Sequence, residues 1–337
     1  MTEIEIRDPD PSEPEQGPPS KAGTAGEAGA PESPYKNLLV PLVVVPALIV
    51  MVLVLVFVLF GTIAGKESSP RENLEKLLAG GANERQQAAF SLVGQVLNSR
   101  QAEAAGGAPT WDIDPSFLPD VRAARAQIGH LERPEDVPIP LVLSSLLAQL
   151  GDPEGVVQLA EMTALSDELD PEGKHRMYAA WTLGALGPEL GEAERERAAS
   201  TLIGLLDSAD PGLVLVAVAG LQNLPSPATS AALQRMLASG VLEQRASAAL
   251  SLAHLGDPAG ATVLKEMLGP EAYAAERALD ERKWPAARVS ESRRKALQAL
   301  IDLACAPSAS DLRRLAEEDP DPLLRAAARE ELARTGG

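Results

Sequence analysis

Enzymatic chemistry needs nucleophiles, acids, bases or metal ligands within reach of one another, and this sequence offers few. Its three histidines, His130, His175 and His254, are scattered, with no cysteine and no paired carboxylate at i, i+4 beside them. A zinc or other histidine-based centre needs such clustering, so no metal site is expected. The single cysteine, Cys305, lies in Leu303-Ala304-Cys305-Ala306 and reads as a small apolar core residue. A buried thiol is inert, and one cysteine excludes an internal disulfide framework. No phosphate-cradling glycine loop, nucleophile elbow or H-E-x-x-H pair occurs. Acidic pairs such as Glu317-Glu318 fall in turns or on solvated faces, without the converging geometry of a glycosidase pair. Neither catalysis nor a cofactor is expected.

Two sets of side chains remain. An arginine recurs before a fixed pattern, with Ala three residues on and Leu seven on: Arg85, Arg176, Arg245, Arg293 and Arg325. Three copies add Gly at eleven, as in Arg176/Ala179/Leu183/Gly187, Arg245/Ala248/Leu252/Gly256 and Arg325/Ala328/Leu332/Gly336. The arginines could form a ladder for an acidic ligand. The stronger reading is structural: an arginine near a helix start pairs with turn carboxylates or with carbonyls of the adjacent repeat. The second set is aromatic. Tyr178 and Trp181 lie opposite the Ala179/Leu183/Leu186 stripe, and Tyr273 and Trp284 lie in a stretch, 269–291, that breaks the repeat. All four are candidate partner contacts, because Trp and Tyr dominate interface hot spots. Burial against the stack is the competing expectation, strongest for the pair in the insertion. A second irregular stretch near 98–138 carries Trp111 and Phe117 in a loop-like setting.

The elements that position these residues are helices. Offsets of 3, 7 and 11 share one side of a 3.6-period helix. Small Ala admits a neighbouring helix, Leu fills the seam and Gly ends the helix. Strand alternation is nearly absent. Turns such as Gly151-Asp152-Pro153, Gly256-Asp257-Pro258 and Asp319-Pro320-Asp321-Pro322 stop one helix and start the next. A helix pair of this size cannot bury its apolar face alone, so neighbours must stack. The expected fold is all-α, an α-solenoid of helical hairpins over residues 66–337.

Those hairpins resemble a known family. ALSLAHLGDPAGATVLKEML and its echo SSLLAQLGDPEGVVQLAEM look like HEAT repeats of the short, phycobilisome-lyase-like type, and DPDPLLRAAAREELARTG is similar to the family's second-helix signature. The resemblance implies two antiparallel helices per repeat, a right-handed superhelix and a protein-binding surface. Some members are bilin lyases, which makes enzymatic tetrapyrrole attachment a minor alternative.

Ahead of the repeats, residues 1–36 are Pro- and Glu-rich with eight acids against three bases, the composition of a disordered tail. Residues 37–65 contain no charge, and Leu38 to Phe60 is an almost unbroken apolar run of 23 residues. As a helix it would span about 34 Å, enough to cross a bilayer core of about 30 Å. It is too long and too far from the N-terminus for a cleaved signal peptide. Lys66, Arg71, Lys76 and Arg85 follow it, whereas Lys21 and Lys36 precede it, an imbalance that favours a cytoplasmic C-terminal domain. The whole chain of 337 residues carries a net charge of −18, which argues against nucleic acid as a partner. The expected function is a single-pass, membrane-anchored scaffold or adaptor for another protein. The alternative is a structural subunit of a membrane transport or secretion complex.

Overall fold

The computed structural model describes residues 68–107 and 117–336, all of them within the unit Glu67–Gly337. The acidic tail, the apolar run at 37–65 and Trp111 lie outside the described residues. Among those that are described, no helix is long and apolar enough to cross a membrane. They form 15 α-helices and no strand.

The described residues open on a helical hairpin. Helix α1 (Pro70–Ala79) is capped by Ser69, whose hydroxyl accepts from the Glu72 amide at 3.2 Å while the Glu72 carboxylate accepts from the Ser69 amide at 2.9 Å. Helix α2 (Ala82–Ala104) then runs 23 residues, well into the stretch expected to be irregular. Phe117, expected in a loop, is instead the first residue of α3 (Phe117–Ala126) and is buried. Then follow α4 (Pro138–Gln149), α5 (Pro153–Met162), α6 (Lys174–Ala185), α7 (Glu192–Leu205), α8 (Pro211–Leu221), α9 (Pro227–Met236), α10 (Leu242–His254) and α11 (Ala261–Met267). The last four are α12 (Ala274–Leu279), α13 (Ala286–Asp302), α14 (Ala309–Glu318) and α15 (Pro322–Thr335).

These helices make two rows. In one, α2, α4, α6, α8, α10, α13 and α15 each pack on the next; α1, α3, α5, α7, α9, α11 and α14 lie against them from the other side. That is the stacked hairpin arrangement of an α-solenoid. Its interior is a chain of hydrophobic clusters passed from one hairpin to the next. Leu143, Leu146 and Leu147 of α4 face the first cluster, while Leu141 and Ala148 of the same helix face the second. Helix α10 joins the second cluster to the third in the same way. Each fully buried Leu contributes about 1.5–3 kcal/mol relative to exposure.

The Gly-Asp-Pro turns work residue by residue. Gly151 and Gly256 take φ of +80° and +75°, a region that costs a side chain but not glycine. Asp152 and Asp257 then accept from the amides of Glu154 and Ala259 at 3.1 and 2.9 Å, and Pro153 and Pro258 occupy first-turn positions that need no N–H donor. Gly187 departs from the expectation that it ends its helix as these glycines do. It begins a short 3-10 turn, and a Cβ there would meet the Asn223 carbonyl oxygen at 2.5 Å, so glycine is required by close packing.

Candidate functional site

The recurring arginines mostly bind nearer home than the adjacent repeat. Arg85, Arg176, Arg245 and Arg325 fold back onto the turn that precedes their own helix. They donate to the carbonyls of Gly80 (2.7 Å), Asp170 (3.2 Å), Ser239 (2.9 Å) and Asp319 (2.6 Å). The Gly80, Ser239 and Asp319 carbonyls lie at or just past a helix end, where intrahelical partners run out, and a guanidinium early in the next helix satisfies them. Arg176 adds ion pairs with Asp167 and Asp170, and Arg245 reaches Glu266 on α11 at 3.5 Å. Only Arg293 is committed entirely across the stack. It is 3% exposed, donates to the Leu268 carbonyl at 2.7 Å and holds both carboxylate oxygens of Asp319.

The two aromatic pairs part company. Tyr273 and Trp284, expected as partner contacts, are core residues, 0% and 2% exposed with ring centroids 5.2 Å apart. Of the two expectations for this pair, burial against the stack holds and partner contact does not: they pin the 269–291 insertion to the stack. Tyr273 donates to the Met267 carbonyl at 3.2 Å, and burial pushes its phenol pKa up to about 12. Arg288 lies over the Trp284 ring at 4.4 Å and pairs with Glu243. Cys305, expected in the core, is only half-buried.

Tyr178 and Trp181 stand differently. Their rings are 6.0 Å apart on the outer face of α6, with Trp181 55% exposed. They form one wall of a groove of about 1080 Å³ that runs along α4 between α2 and α6. The opposite wall is Phe90, Val93 and Leu97 of α2, of which Phe90 is 72% and Leu97 37% exposed. Ile139, Leu141 and Val142 of α4 form the floor. The groove gathers three of the exposed large apolar side chains, Phe90, Leu97 and Trp181, onto one face. The α2 wall was missed in the sequence, although a signal existed. Helix α2 carries a second apolar stripe, 90/93/97, beside the buried Ala88/Leu92/Val96 stripe that the repeat pattern explains.

His175 lies at the edge of the groove, but among the described residues no group of three His, Cys, Asp or Glu side chains converges to hold a metal ion. What the groove offers is an apolar trough with a few polar groups at each end, the composition of a binding surface.

The fold is that of an α-helical repeat protein, and the groove is an exposed apolar trough on it. The family comparison agrees with the fold: residues 244–269, which span most of α10 and all of α11, match the PBS lyase HEAT-like repeat. This supports a HEAT-repeat protein. No curated protein matches the chain.

Proposed function

We propose that this protein is a non-catalytic HEAT-repeat scaffold that receives another protein in the α2/α4/α6 groove. The observation that carries the reading is the apolar trough itself, which brings Phe90, Leu97 and Trp181, three of the exposed large apolar side chains among the described residues, to one place. The apolar run from Leu38 to Phe60 anchors the scaffold in a membrane, and the basic excess after it puts the helical repeats on the cytoplasmic side. Anchoring raises the effective concentration of the groove near membrane-bound partners.

The test is site-specific photo-crosslinking in native membranes, with a benzoyl-phenylalanine in place of Trp181 in the full-length chain. A crosslinked polypeptide is expected, and it should be lost when Phe90→Ala and Leu97→Ala are added. Crosslinks to lipid alone would overturn the protein-docking reading. Release of the chain by alkaline carbonate washing would remove the anchor.

A further inference from the structure

The three helices that line the groove run in the same direction. Arg100, near the C-terminal end of α2, donates to the Gln149 carbonyl at the C-terminal end of α4 and pairs with Glu189 just beyond α6. The opposite end is formed by the first turns of α2, α4 and α6, with Arg85, Lys174 and His175. Each helix carries about half a positive charge at its N-terminus and half a negative charge at its C-terminus. Three aligned helices therefore make one end of the groove positive and the other negative.

Side chains add to the positive end, where Arg85 and Lys174 outnumber Glu135, and cancel at the other, where Arg100 meets Glu189. Three basic against two acidic side chains line the groove, in a chain whose residues from Lys66 onward hold 27 basic against 40 acidic. Of the two acids, Glu189 is taken by Arg100, and Glu135, just ahead of α4 at the positive end, pairs with Arg133. Arg85 is exposed at the positive end, and among the described residues no carboxylate pairs with it; Lys174 is held by Glu172. At the negative end Gln149 is 5% exposed. Its Nε2 donates to Ser145 Oγ at 2.9 Å while its Oε1 accepts no hydrogen bond. A buried amide oxygen left so is costly, and a donor arriving with a ligand relieves it.

We infer that the occupant of this groove is one amphipathic α-helix of a partner protein, laid antiparallel to α2, α4 and α6, with acidic residues in its last turn. The inference rests on the groove being the protein-docking surface. Laid this way, the incoming helix brings its unpaired N-terminal N–H groups to Gln149 and the three helix C-termini, and its own C-terminal carbonyls and acids to Arg85 and Lys174. The reverse orientation sets like against like at both ends. An acyl chain brings no donor to Gln149. The size also fits: from Arg85 to Arg100 the trough is about 22 Å long, matching a helix of about 15 residues. Phe90, Val93 and Leu97 at i, i+3 and i+7 form the ridge that a leucine stripe of the same period fits.

The experiment uses two dye-labelled 15-residue peptides of identical composition, stapled on the polar face to hold them helical. Both carry leucines at helical spacing; one has its glutamates in the last turn, the other in the first. Fluorescence anisotropy measures their binding to the full-length chain in phosphatidylcholine nanodiscs, with empty nanodiscs as the blank. The peptide with C-terminal glutamates is expected to bind at least tenfold tighter. Trp181→Ala should weaken it about 30-fold. Arg85→Glu should reverse the order of the two peptides, and Gln149→Leu should weaken binding without lowering the melting temperature. Equal binding of the two peptides overturns the orientation. Binding of neither, or a groove that takes up oleate but no peptide, overturns the helix. In that case a protein crosslink at position 181 that persists would keep the scaffold reading alive with a non-helical partner, so the two failures are distinguishable.

Discussion

Arg293 and Arg85 occupy the same place in the repeat, one ahead of Ala296 and Leu300, the other ahead of Ala88 and Leu92, yet their surroundings differ in kind. Arg85 is exposed and holds one carbonyl of its own turn. Arg293 is buried with Asp319, whose side chain is 6% exposed, so neither charge can fall back on water. Removing one partner of such a pair costs about 3–5 kcal/mol, because the other is left charged and dry. Arg293→Ala is therefore expected to lower the urea midpoint of the C-terminal helices sharply, and Arg85→Ala to leave it nearly unchanged. Equal effects would show that the motif, and not burial, sets the energy. The arginine was legible in the sequence because its spacing repeats. Its partner was not, since spacing along one helix says nothing of which turn on a later hairpin faces it. Tyr273 and Trp284 stood open between contact and core in the sequence, because residue type marks aromatic anchors without telling the core from the surface.

At the scale of the helix, small residues do two opposite jobs that sequence alone does not separate. Gly184 of α6 faces Gly220 of α8, and a Cβ on Gly184 would come within 2.4 Å of the Gly220 Cα. Helices approach this closely only where both lack side chains. Gly204, in α7, is exposed and would meet nothing within 4 Å. Alanine is the better helix former by roughly 0.8–1 kcal/mol at either site. Gly204→Ala should accordingly stabilise by roughly 0.5–1 kcal/mol. Gly184→Ala should destabilise, because overpacking a close crossing costs typically 1–3 kcal/mol. Chemical denaturation of both variants checks the signs, and two stabilising outcomes would remove the α6–α8 crossing as a constraint. Helix existence and hairpin order were legible from the 3.6 period and the Gly-Asp-Pro turns. Where the period carried two stripes at once, as on α2, the second stripe, and the groove wall it makes, went unread.

Across the described unit, stability passes from hairpin to hairpin through shared clusters, so its parts need not fail together. Carboxylates with lowered pKa values mark where acid acts first. Burial works to raise Glu243, but hydrogen bonds from Lys283 and Arg288 outweigh it and hold the carboxyl below its usual value. Asp321 is held low in the same sense, burial being outweighed by the Ser290 hydroxyl and then by the amides of Leu323 and Leu324 at its helix start. A folded pKa below the unfolded one contributes stability above the ordinary carboxylate range, about pH 4, and that contribution is lost as pH falls through the folded value. Glu243 ties α10 to Lys283 and Arg288 around the start of α13, and Asp321 caps α15; both act in the C-terminal block. Between α6 and α8 the contact is instead Ala, Val, Leu and Gly, which acid does not touch. Hydrogen exchange corrected for intrinsic rate, stepped from pH 7 to pH 3, should therefore open α13 to α15 before α6 and α8. Opening of α6 and α8 first would mean that burial across the central crossing, and not the ion pairs of the C-terminal insertion, is the weaker link of the stack.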